Sequence, residues 1–68
     1  MKLSARNVFE GTVVSVKRGA TTAHVKIEIG PGMIVTSAIT NEAVKELKLK
    51  KGDRAAAIIK ASDVIVGK

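Results

Sequence analysis

The chain predicts an all-β fold: a five-stranded barrel with one short helix between strands 3 and 4. Three observations carry that prediction. β-Branched residues crowd into runs that glycine-centred turns separate. One stretch alternates apolar and polar residues along its length. A single segment with helical spacing falls between the third and fourth of these runs.

Residues 7–17 hold Val8, Phe9, Val13, Val14 and Val16 on both faces, which predicts a strand buried from two sides. Gly11 interrupts it and predicts a bulge or bend. Lys17-Arg18-Gly19-Ala20 reads as a turn, with Gly19 able to take a positive φ. In residues 21–30, Ala23, Val25, Ile27 and Ile29 point one way and Thr22, His24, Lys26 and Glu28 the other, the pattern of a half-buried strand. Gly30-Pro31-Gly32 ends it. Residues 33–39 form a third strand, again apolar on both faces.

Thr40 or Asn41 can cap a helix over residues 41–48. Glu42 in its first turn and Lys45 and Lys48 toward its end suit the helix dipole. Ala43, Val44 and Leu47 supply the apolar stripe, and Leu49 packs behind it. Lys50-Lys51-Gly52-Asp53 turns the chain into a fourth strand, residues 54–60, and Val64-Ile65-Val66 makes a short fifth. That order is the one found in barrels of the oligonucleotide/oligosaccharide-binding (OB) type.

Residues 1–68 are read as a single domain, with no internal repeat or linker. So small a domain is marginal by itself and usually gains stability from disulfides, a metal or a partner subunit. There is no cysteine. His24 is the sole histidine, with no cluster of ligating residues around it, so neither a metal nor a catalytic role is expected of it. That leaves self-association. Apolar residues make up 46% of the chain, with Phe9 the one aromatic. A core of Val, Ile, Ala and Leu with apolar surface to spare points to an interface. Lys2 and Arg6 are not followed by an apolar stretch, so no signal peptide is expected. No apolar run reaches the roughly 20 residues of a membrane span. The expected location is the cytoplasm.

The net charge of +6 draws anions: nucleic acid, an acidic membrane face or small oxyanions. Two runs favour the last. Ser4-Ala5-Arg6-Asn7 offers a hydroxyl, an amide and a guanidinium fork beside a small residue that leaves backbone N–H groups approachable. Lys60-Ala61-Ser62 offers an ammonium, a hydroxyl and N–H groups at a corner between two expected strands. Asp63 follows, and in extended chain it points to the opposite face, where it can hydrogen-bond backbone. Each run alone also reads as an ordinary local turn. A tetrahedral oxyanion needs many donors, some positive charge and no competing carboxylate, and the pair of runs supplies that set. The turn Gly19-Ala20-Thr21-Thr22 is a second candidate, because consecutive N–H groups around a glycine can cradle an anion. Read plainly, it is a hairpin turn.

These runs, with Gly11-Thr12-Val13-Val14 and the continuation Asp63-Val64-Ile65, resemble the Mop family. Its members are the small molybdate-binding proteins called molbindins, related to the TOBE domains of molybdate transporters and regulators. The resemblance extends over nearly the whole chain, including Gly52-Asp53. It implies an OB-like barrel that dimerises by exchanging an N-terminal strand. It implies a hexamer, a trimer of dimers, with molybdate or tungstate held at subunit interfaces. By match, Ser4, Ala5, Arg6 and Asn7 of one subunit would face Lys60, Ala61 and Ser62 of another. The oxyanion would be held by hydrogen bonds, with no bond to the metal atom and no cofactor. Gly19, Ala20 and Thr22 match a further site type.

Two other function classes fit less well. Single-strand nucleic-acid binders stack bases on aromatic side chains, and Phe9 is the one available, among neighbours that suggest core. An enzyme would need a Ser–His–Asp set, a cysteine nucleophile or a glycine-rich phosphate loop, and none is evident. The 68 residues also contain neither an ATPase nor a helix-turn-helix. Storage or buffering of the oxyanion is the expected role.

Overall fold

In a computed structural model, which describes residues 2–68, the elements run β1 (Asn7–Arg18), β2 (Thr22–Gly30), β3 (Met33–Thr40), α1 (Asn41–Leu47) and β4 (Arg54–Ile59), followed by a 3₁₀ turn at Ala61–Asp63. The strands form one antiparallel sheet in the order β3-β2-β1-β4. The long β1 serves two partners. Its first half pairs with β4, from Asn7↔Ile59 to Thr12↔Arg54. Its second half pairs with β2, from Thr12↔Glu28 to Arg18↔Ala23.

The changeover curls the sheet. At Gly11 a Cβ would run into the Glu28 carbonyl oxygen and lie 2.9 Å from both the Glu28 carbonyl carbon and Ile27 Cγ2. Only a glycine lets β1 and β2 approach so closely. The bulge itself falls between Val13 and Ser15, just beyond the glycine. There the turn before β4 is tied to β1: the Gly52 N–H donates to the Val13 carbonyl and the Val13 N–H to the Asp53 carbonyl, both at 2.8 Å.

Val13, Ala23, Val25, Ile27, Val44 and Ala57 are buried inside the curl, with Val16, Ile29, Val35, Ile39, Leu49 and Ala55 packed around them. The alternation of β2 appears as the sequence predicts. Its apolar side is buried and Thr22, His24, Lys26 and Glu28 are exposed. The helix begins where expected, with Thr40 Oγ1 accepting from the Ala43 N–H at 3.0 Å. Thr40→Ala leaves that N–H without its cap. The expected cost is about 1 kcal/mol, a fall of about 4–8 °C in Tm for a domain of this size, read by thermal circular dichroism.

Several expectations are corrected. The sheet has four strands among the described residues, because Val64, Ile65 and Val66 pair with no strand there and stand exposed, Ile65 by 93% and Val66 by 88%. The sheet is curled, and β3 and β4 are left as its free edges. β4 stops at Ile59, so Lys60 lies beyond the strand it was expected to end. Strand β1 is not buried on two sides: Val8 is exposed, and Phe9 is 41% exposed instead of core. Leu47 is 65% exposed, leaving Val44 as the helix's buried anchor. The exposed apolar positions among these share a cause. The side chains are apolar on faces for which one protomer supplies no covering layer. Gly19 stays out of the left-handed region because the turn there closes through the Gly19 N–H and the Thr22 carbonyl, at 2.7 Å. Among the described residues no helix is long and apolar enough to cross a membrane.

Candidate anion-binding site

The last rung between β1 and β4 is Asn7↔Ile59. Ser4, Ala5 and Arg6 lead into that rung and Lys60, Ala61 and Ser62 leave it, so within one protomer the two runs flank a single rung. Asn7 pins the junction, its Nδ2 donating to the Ile59 carbonyl at 3.1 Å. Part of its donor capacity therefore goes to holding the corner. Ser4, Arg6, Lys60, Ala61 and Ser62 are exposed and Ala5 is half-buried.

The 3₁₀ turn sets the second run. Its bonds begin with the Asp63 N–H, which donates to the Lys60 carbonyl at 2.9 Å, followed by the Val64 N–H to Ala61 at 3.3 Å. The N–H groups of Ala61 and Ser62 precede the first turn bond, the position in which turn donors lack a partner of their own. Among the described residues Arg6 and Lys60 form no ion pair, and the Asp63 carboxylate takes part in no hydrogen bond, including the one with backbone that was expected of it. The corner thus combines two cations, two hydroxyls and backbone donors. Asp63 lies in the 3₁₀ turn rather than in extended chain, so its carboxylate belongs to this corner too, without an ion pair to Arg6 or Lys60 among the described residues.

The described residues contain no group of three or more His, Cys, Asp and Glu side chains that could hold a metal ion. His24 lies on the exposed face of β2, opposite Lys17 on β1 and Ala38 on β3. The turn Gly19–Thr22 is braced from α1: the Asn41 N–H donates to the Thr21 carbonyl at 2.9 Å and Asn41 Nδ2 to the Gly19 carbonyl at 3.0 Å. The Gly19 N–H points inward to Thr22, so an anion here would rest on Ala20, Thr21 and Thr22. Among the described residues, Asn41 Oδ1 beside this turn is a buried acceptor without a partner.

Beside the corner the β1–β4 ribbon is apolar on both faces. Val8 and Ile58 sit opposite each other and are exposed, and Phe9 on the other face is opposite Ala57. Sequence reading did not single out Ile58. Its meeting with Val8 depends on a register between segments far apart in the chain, which no local pattern reports.

Residues 3–66 match the TOBE domain family. The chain belongs to that family. This TOBE domain is 44% identical over 66 residues to molybdenum-pterin-binding protein 3 of Clostridium pasteurianum, covering 97% of each chain. It superimposes on a molybdate-binding protein from Sporomusa ovata with a TM-score of 0.93 and 35% identity, over all of both chains. It also matches the cytoplasmic molybdate-binding protein ModG, solved with molybdate bound, with a TM-score of 0.92 and 49% identity over 96% of this chain and 46% of that one. The curled sheet and single short helix of this TOBE domain are therefore those of molybdate-binding proteins.

Proposed function

We propose that this TOBE domain binds molybdate or tungstate and stores or buffers it in the cytoplasm, a binding role rather than a catalytic one. The corner where Ser4–Asn7 and Lys60–Ser62 meet carries the proposal. It joins hydroxyl and backbone donors to two cations that have no carboxylate partner among the described residues. Relatives and structural neighbours named for molybdenum-pterin or molybdate binding support the choice of oxyanion, and the neighbour described as cytoplasmic supports the compartment. Phe9 is too little for a base-stacking platform, so nucleic acid is not proposed as the ligand.

The binding form is a homo-oligomer, a hexamer on the family pattern, with the cage shared between subunits. The apolar ribbon beside the corner supports this, as do the free edges of β3 and β4. A recess of about 310 Å³ opens between those edges, lined by residues that include Ile27, Val35, Ala57 and Ile59. A fifth strand there would complete a barrel. The first half of β1 is already paired with its own β4. Val64–Val66, which pairs with no strand among the described residues, is a further segment available for exchange beside the N-terminal one that the resemblance implies.

Calorimetric titration with molybdate and with sulfate, together with native mass spectrometry, tests this reading. The expected result is an oligomer that takes up molybdate, with a Tm that rises as the ligand is added. Lone protomers indifferent to millimolar molybdate would overturn it.

A further inference from the structure

At the opposite end of β1 from the anion corner, the bulge and the turn before β4 build a second recess. The turn is held rigidly. Gly52 takes φ +96°, and its N–H and the Asp53 carbonyl are both bonded to Val13. The carboxylate of the turn is already engaged. Lys50 Nζ lies 3.1 Å from Asp53 Oδ1, and the Lys50 N–H donates to Oδ2 at 3.0 Å. These bonds hold the Asp53 carboxyl below its ordinary value. Between this turn and the end of β1 lies an open cleft of about 620 Å³, lined by Ser15, Val16, Arg18, Leu49, Lys50 and Lys51.

The cleft has two characters. Val16 and Leu49, packed on the core, make an apolar floor. Arg18 and Lys51 are exposed on its rim and have no ion-pair partner among the described residues. A bare oxyanion has no use for an apolar floor, and an apolar ligand has no use for two spare cations. The volume falls within the range of about 300–1,000 Å³ typical of small-molecule sites.

We propose that this cleft binds an aromatic phosphate monoester, with its ring on Val16 and Leu49 and its phosphate between Arg18 and Lys51. Such a phosphate carries a charge of about −1.5 to −2 near neutral pH. The planar guanidinium of Arg18 matches its oxygens in pairs, Lys51 adds a point charge, and the Ser15 hydroxyl can donate. The braced turn limits the ordering cost of binding. This site is independent of the oxyanion reading.

The test is a nuclear magnetic resonance titration of the full chain, in millimolar molybdate, with 1-naphthyl phosphate. Inorganic phosphate and 1-naphthol form the comparison arms. The naphthyl ester is expected to shift amide signals of residues 15–18 and 49–53 and to bind at least tenfold more tightly than either fragment. Arg18→Ala and Lys51→Glu, both at exposed positions, are each expected to weaken it several-fold with molybdate affinity unchanged. Absence of shifts there would overturn the proposal, as would equal affinity for inorganic phosphate or shifts confined to Ser4–Asn7 and Lys60–Ser62. A chain that binds the ester but not molybdate would remove the proposed function and leave this site standing.

Discussion

Gly11→Ala is expected to destabilise the protein by about 3 kcal/mol, the upper part of the usual range for overpacking. The added methyl meets the Glu28 carbonyl group and the Ile27 side chain. Ile27 can rotate, but the Glu28 backbone belongs to the β1–β2 ladder at Thr12↔Glu28 and cannot withdraw without breaking it. Relief has to come from opening the sheet where β1 changes partners, next to the buried Val13. For a domain this size the loss corresponds to a drop in Tm of about 12–24 °C. Thermal and urea unfolding of the two proteins under matched conditions would show it. A Gly11→Ala protein within 1 kcal/mol of the parent would mean that β1 and β2 lie farther apart here than described.

Lys60→Ala is expected to leave the fold intact and weaken molybdate binding by about 10- to 150-fold. Lys60 is exposed and lies beyond β4, so its side chain supports neither ladder nor core. A hydrogen bond to a charged group is worth about 1.5–3 kcal/mol, and every 1.4 kcal/mol is about tenfold in affinity. Calorimetry would read the affinity, and a melt without ligand would show that stability is held within about 0.5 kcal/mol, as for an ordinary surface substitution. Unchanged affinity would remove Lys60 from the cage. Ser62→Ala, which deletes a neutral donor, is expected to cost less than Lys60→Ala in the same titration.

What could be read from the residues follows from where the relevant partners lie. The faces of β2 were legible because a single chain buries one of them, and alternation records that. The cap at Thr40 was legible because capping is settled within three residues. A bulge or bend in β1 was legible from Gly11, but its position at Val13–Ser15 was not, because it depends on where β1 leaves β4 for β2 and no local spacing records such a switch. Phe9, Leu47 and Val64–Val66 were placed inside or in strands from their apolar character alone. That character is real, but one protomer has nothing to cover them. At the anion corner, the two runs could be picked out as donor-rich fragments. Their place at the two ends of one rung depends on Asn7 lying opposite Ile59 across almost the whole chain, which no local pattern reports. The resemblance implies a different meeting, between runs of two subunits. The brace from Asn41 to the Gly19–Thr22 turn left no trace either, since an asparagine after a capping threonine signals only a helix start.

The C-terminal Val64-Ile65-Val66 sets a condition on how this protein behaves when scarce. If the proposed oligomer covers these three branched aliphatic side chains, resistance to heat becomes by mass action a property of the population, and dilution alone should lower it.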